Sequence, residues 1–171
     1  MNATECLLNR RSIRKYKSAQ ISDEELNLVL EIGTWAPTAK NMQSPKIVAV
    51  QDKEDIALMS SINARIMGVS TDPFYGAPTV VVVFADGGNI NGVQDASLVL
   101  GNLMNGAYAA GLGSCWINRA KETFETPEGK ELMKKWGVDE KYIGVGNCIL
   151  GYADEEPAPK PRKEDYCIIV K

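Results

Sequence analysis

The sequence predicts a single domain in which helices alternate with about five short strands. Three observations lead there. The chain has 171 residues, enough for one domain with a real core. Apolar residues spaced three and four apart alternate along it with short β-branched runs. No segment repeats another, so the elements belong to one non-periodic fold.

The first helix is expected from Thr4 to about Asn9, ending in the basic, turn-prone stretch Arg10–Tyr16. Ser22 and Glu25 form a capping box ahead of Leu26, Val29, Leu30 and Gly33. That helix should stop near Trp35, because Pro37 disfavours helix at Ala36. Pro37–Pro45 is a loop, Lys46–Val50 a strand and Asp55–Ile66 a helix. Thr79–Ala85 carries four successive valines and a phenylalanine, which suits a strand buried on both faces. Helical spacing then covers Asn91–Ala110, where Gly101, Gly106, Ala107, Ala109 and Ala110 make a thin helix that other backbones or a flat ligand can approach closely. Gly111-Leu112-Gly113 ends it. A strand at Ser114–Asn118, a helix at Thr126–Trp136 and a strand at Tyr142–Tyr152 follow. Residues 154–171 read as a C-terminal arm of the one domain. Its proline-rich linker, Asp154–Pro161, leads to an apolar strand, Tyr166–Val170. That strand either adds to a partner subunit's sheet or forms an edge of its own.

Composition excludes several classes of function. The formal net charge is -3, which argues against a dedicated nucleic-acid binder. There is no histidine, so no Ser-His or Cys-His nucleophile pair exists. Cys6, Cys115, Cys148 and Cys167 form no CxxC pair, which argues against zinc and iron–sulfur sites. Met1–Arg14 lacks the apolar core of a signal peptide, and no apolar run suffices to span a bilayer, so a cytoplasmic protein is expected. If the protein is an enzyme, the demanding chemistry belongs to a cofactor.

Four stretches can carry binding chemistry. Arg10, Arg11 and Arg14, with Ser12 among them, are a dense donor set matching phosphate oxygens, although cations are equally at home at a helix C-terminus. Ala36–Gln43 offers small residues and side-chain amides to a polar heterocycle, or is an ordinary connection. Gly111–Ile117 can present backbone N–H groups at a strand edge, or simply packs. Lys160-Pro161-Arg162 is a second cationic pair, or a solvated balance to Asp154, Glu155 and Glu156.

Taken in order, these pieces resemble the nitroreductase family of FMN flavoproteins. The matching stretches are Arg10–Arg14, Ala36–Gln43, Asp95–Ile117, and Ile149-Leu150-Gly151-Tyr152 leading to Lys160-Pro161-Arg162. The resemblance implies an α+β fold with three layers, its central, mostly antiparallel sheet of about five strands flanked by helices. It implies an intertwined homodimer, with the C-terminal strand added to the partner's sheet and two FMN molecules at the interface. By similarity, Arg10, Arg11, Ser12 and Arg14 hold the phosphate and ribityl end and the pyrimidine edge. Arg162, with Lys160 nearby, closes on the phosphate. Pro37, Thr38, Ala39 and Asn41 line the ring from the partner chain. The backbone around Cys115, Trp116 and Ile117 faces N5 and O4, and Asn63 is a candidate ribityl contact.

The reaction so implied is ping-pong transfer from NADH or NADPH to a small electrophile such as a nitroaromatic or quinone. The chain lacks the long insertion between Asp86 and Asp95 found in larger relatives, which implies an open acceptor pocket. A flavin-binding or redox-sensing protein without nicotinamide turnover needs the same cradle and remains the alternative.

Overall fold

The central strand forms because its residues suit a site with no solvent on either side. β2 (Thr79–Asp86) is buried along Thr79–Ala85. Its side chains alternate between two cores, as strand geometry requires. Val80, Val82 and Phe84 enter one; Val81, Val83 and Ala85 enter the other. The computed structural model, which describes residues 2–171, is therefore three-layered: helices, sheet, helices.

β1 (Lys46–Val50) and β4 (Tyr142–Gly151) flank β2, and β3 (Gly113–Ile117) pairs with β4. Every pairing is antiparallel, in the order β1-β2-β4-β3. α2 (Asp23–Thr34) and α4 (Gly92–Ala109) cover one face. α3 (Lys53–Met67), α5 (Ala120–Glu125) and α6 (Pro127–Lys135) cover the other. α1 (Ala3–Asn9) lies against α4, where the Cys6 thiol donates to the Asn105 carbonyl at 3.3 Å.

Local sequence explains several boundaries. The Ser22–Glu25 capping box is formed in both directions and starts α2. Pro127 occupies the first turn of α6, where its missing N–H is harmless. α4 is thin where α2 crosses it: a Cβ at Gly106 would sit 3.0 Å from Ile32. Among the described residues, no helix is long and apolar enough to cross a membrane.

Two expectations need correction. Among the described residues the sheet has four strands rather than about five, because Tyr166–Val170 forms none. A 3₁₀ turn covers Glu164–Tyr166, and the following residues are extended and exposed, with Ile168 88% and Val170 91% accessible. Their composition favours a strand, but among the described residues they pair with none. The second correction is α5, which was not anticipated. It is only six residues long and starts at Arg119 in a left-handed conformation, so it carries no periodic signature.

Candidate functional site

The arginine segment is a rail fixed along the edge of the sheet. α1 ends at Arg10, whose backbone leaves the helix at ψ 134°. The chain then runs beside β3: the Ile13 N–H donates to the Ser114 carbonyl at 3.0 Å, and Ser12 and Ser114 form a parallel bridge. Ile13 is buried against Gly113, where any Cβ would come 3.0 Å from the isoleucine side chain. The Tyr16 hydroxyl donates to the Ile13 carbonyl at 2.7 Å. Past the end of β4, the Lys17 N–H meets the Tyr152 carbonyl and the Asp154 N–H meets the Lys15 carbonyl, both at 2.9 Å. The Arg14 N–H donates to the Glu155 carboxylate. Strand alternation puts Ser12 and Arg14 on the side opposite the buried Ile13.

The three guanidinium groups are not equivalent. Arg11 folds back on α1, its Nη1 donating to the Leu8 and Arg10 carbonyls at 2.8 Å each. It therefore caps the C-terminal end of α1, the helix-end role that cations favour. Arg14 is exposed, and its guanidinium has no recorded partner among the described residues. Arg10 is the unusual one: its Nη1 is buried and finds no acceptor. A buried cationic donor without a partner costs free energy, so such a group marks a place where an anion belongs.

Cys115 and Ile117 of β3 point into the core, and Trp116 is half-buried. What β3 offers outward is backbone. Ser114 bonds to the rail, so alternation turns the N–H of Trp116 to the same outer edge. At the last residue of the strand and the one after it, two carbonyls are held from the protein side. Asn147 Nδ2 donates to the Ile117 carbonyl at 3.3 Å, and Asn63 Nδ2 to the Asn118 carbonyl at 2.8 Å. Asn63, expected to reach a ribityl chain, is wholly buried in α3, and its Oδ1 has no partner. Trp116 Nε1 donates to Asn118 Oδ1 at 2.9 Å, and Arg119 sits at φ 72°, unusual for a side chain of its size.

The Pro37–Asn41 loop is held elsewhere. The buried Asp95 carboxylate accepts the Ala39 N–H at 2.9 Å, and the Thr38 hydroxyl accepts the Gln43 N–H at 3.0 Å. Lys40, Asn41 and Gln43 all have φ between 50° and 53°, so the loop is strained and its shape imposed. Asp95 lies in the first turn of α4, whereas α1 and the rail lie near Asn105. Ten residues of helix separate those points by about 15 Å. Within one chain, the loop and the arginines occupy opposite ends of α4.

Lys160 and Arg162 are exposed on the tail that leaves β4. Pro157 and Pro159 of that tail line a cleft of about 430 Å³ with Arg11 and Tyr108, but Lys160 and Arg162 contact no member of the arginine cluster through a recorded bond. A larger cleft of about 910 Å³, between α3 and the segment before β2, contains none of the expected residues. Among the described residues, no group of acidic, cysteine or histidine side chains is arranged to hold a metal.

Protonation states leave little room for acid–base chemistry by side chains here. Burial pushes the Cys148 thiol up to about 12, with the Arg10 charge pulling weakly the other way, so it remains a neutral apolar group. Burial likewise raises the Tyr16 phenol, which stays protonated and donates to Ile13.

Sequence reasoning missed Asp95 as the anchor of the loop, and Asn118, Arg119 and Asn147 at the end of β3. Asn147 left a signal: a lone amide within the apolar run Val145–Leu150 is expected to hold something specific.

Comparison with known proteins adds the remaining observation. The sequence model of the nitroreductase family matches residues 7–152. A relative from Archaeoglobus fulgidus, provisionally named an NADH dehydrogenase/NAD(P)H nitroreductase, is 31% identical over 170 residues, covering 95% of this chain and 90% of its own. A solved nitroreductase with bound FMN from Bacteroides fragilis matches with a TM-score of 0.88 at 27% identity, covering 100% of both chains. An FMN-dependent nitroreductase from Clostridium difficile matches with a TM-score of 0.78 at 29% identity, covering 92% of this chain and 91% of that one.

Proposed function

Because the chain belongs to the nitroreductase family, we propose that it is an FMN-dependent oxidoreductase passing electrons from NADH or NADPH to a small electrophilic acceptor. The similar proteins named as NAD(P)H nitroreductases, and the similar structure holding FMN, support the cofactor and the donor. The observation that carries the reading is the buried, unpartnered Nη1 of Arg10 beside a rail that also presents Ser12 and Arg14. That donor set fits a phosphate monoester, whose oxygens accept several charge-assisted bonds at once.

Arg10 and Ser12 hold the phosphate and ribityl end, and Arg14 reaches the pyrimidine edge. Arg11 adds its charge nearby while its hydrogen bonds serve α1. Lys160 and Arg162 close on the phosphate from the tail. The backbone around Cys115, Trp116 and Ile117 faces N5 and O4, with the Trp116 N–H as its outward donor. FMN, when bound, would supply the redox chemistry between the nicotinamide and the acceptor. No histidine is available and the nearby thiol and phenol stay protonated, so solvent provides the proton.

The functional unit is a homodimer with FMN at the interface. Three features support this. The Pro37–Asn41 loop lies about 15 Å along α4 from the arginines of its own chain, so it serves the site of the partner subunit. α4 exposes Leu98 and leaves open space at Gly101, a surface suited to close approach of a second helix. The apolar residues Ile168–Val170 are exposed and pair with no strand among the described residues.

The acceptor side is open. β2 passes to α4 through the short turn 87–91, held by the Gly88 N–H on Asp86 Oδ1 at 3.0 Å, so this connection builds no cover. An open site suits nitroaromatics, quinones and similar flat electrophiles. Initial-rate kinetics with NADPH and menadione test the ping-pong order. Parallel double-reciprocal lines are expected, and intersecting lines would contradict it.

A further inference from the structure

We infer that Arg119 is a specificity-determining residue: its guanidinium binds an oxyanion carried by a molecule that reacts over the flavin ring. This rests on the FMN reading above and deepens it, because it names the chemistry of the group that the open site selects.

Three local rules speak against arginine at this position. The backbone is left-handed, at φ 72° and ψ 20°, where a Cβ is crowded and glycine or asparagine is at home. The residue is also the N-cap of α5, a place for a short side chain that accepts from the first free N–H groups. Arginine has no acceptor to offer, and it makes no cap bond. A cation at a helix start is opposed by the helix dipole as well. A residue kept against three local penalties has a use for its side chain elsewhere.

That use does not lie within the subunit. The Arg119 side chain makes no hydrogen bond or ion pair among the described residues. Glu122, in the first turn of α5, is exposed and does not pair with it. Glu125 is taken by Lys121 at 3.2 Å. The neighbouring Asn118 Oδ1 is taken by Trp116 Nε1. Arg119 is half-buried, so its charge is less screened than that of a fully exposed lysine.

Position decides what the guanidinium meets. Ser114, which bridges to the arginine rail, lies about 10 Å along β3 from Ile117. Arg119 follows Ile117 by two residues, so it stands past the ring end of β3, away from the arginines that hold the phosphate. The anion left for Arg119 comes with the second molecule. It is the carboxylate or sulfonate of an acceptor, or a phosphate of the dinucleotide. A guanidinium fork suits each of these oxyanions.

The test compares wild type with Arg119→Gly, Arg119→Asn and Arg119→Lys, all loaded with FMN. Glycine and asparagine both suit a left-handed N-cap, so either carries the comparison should the other fail to fold. For the acceptor, kcat/KM is measured for para-nitrobenzoate and for its neutral methyl ester. For the donor, bleaching of bound FMN is followed with NADH, with NADPH and with N-benzyl-dihydronicotinamide, which carries no phosphate. The glycine and asparagine variants are expected to lose about tenfold toward the anionic member of one pair, and less than about twofold toward its neutral counterpart. Arg119→Lys should keep part of the preference. A selective loss of para-nitrobenzoate assigns the oxyanion to the acceptor, and a selective loss of the dinucleotides assigns it to the donor. The glycine and asparagine apoproteins are expected to melt at or above the wild-type temperature, since both relieve the backbone. Folded, FMN-loaded variants that keep the wild-type ratios, or that lose charged and neutral molecules alike, overturn the inference. A wild-type protein that takes up no FMN overturns the cofactor reading beneath it instead.

Discussion

Replacing Arg10 by alanine is expected to raise the FMN dissociation constant about a hundredfold without lowering the stability of the apoprotein. The two halves of that expectation share one cause. Arg10 Nη1 is buried with no acceptor in the chain itself. A hydrogen bond between an ionised donor and an ionised acceptor contributes about 1.5–3 kcal/mol, which corresponds to roughly ten- to 150-fold in affinity. Without its anion that Nη1 is a buried donor with no acceptor, so its removal costs the apoprotein no hydrogen bond. Arg11→Ala is the contrasting case. Its guanidinium is spent on the Leu8 and Arg10 carbonyls, so alanine there should loosen α1 and change FMN affinity far less. Fluorescence titration with FMN and thermal melting of both apoproteins separate the two roles. Equal losses of affinity would show that the cluster acts as bulk charge.

Gly101→Arg is expected to leave the subunit folded and to abolish FMN retention. A Cβ at Gly101 meets nothing within 4 Å, and glycine is a poor residue inside a helix, so the subunit alone has no reason to resist substitution. Yet Gly101 lies on the outward side of α4, one turn from the exposed Leu98. A long cation on that surface would block close packing against a second helix. If the dimer is lost, the partner's Pro37–Asn41 loop is lost from each site, and affinity should fall at least a hundredfold. Sedimentation shows the oligomeric state and absorbance the bound flavin. A monomer that retains FMN would contradict a shared site, as would a wild-type monomer.

Much of the fold was legible because its signals are local. Four valines and a phenylalanine in succession describe a strand with a core on each side, and β2 is that strand. Ser22 and Glu25 announce a helix start that needs no tertiary support. Where the outcome depends on a partner, local signals fail. Tyr166–Val170 has the composition of a strand, but a strand needs a second edge, and composition does not say where one lies. α5 failed for the opposite reason: six residues, begun by a left-handed arginine, are held by packing beneath β4 rather than by pattern.

The site divides in the same way. Three arginines in five residues announce local cationic density. That Arg11 turns back to cap α1 while the Nη1 of Arg10 is buried and unpartnered depends on where the rail leaves the helix, which spacing does not encode. Asn63 is a candidate ribityl contact by resemblance alone; that it lies buried in α3, with its Nδ2 on the Asn118 carbonyl and its Oδ1 unpartnered, is a tertiary placement that spacing does not encode.

The central claim is that this chain holds FMN and reduces it with a nicotinamide. The most direct measurement is the visible absorbance spectrum of the purified protein, reconstituted with FMN and desalted, before and after anaerobic addition of NADH or NADPH. The expected result is a protein-bound flavin band that bleaches with one or both donors. A protein that emerges colourless, or a bound flavin that neither donor bleaches, would contradict the account.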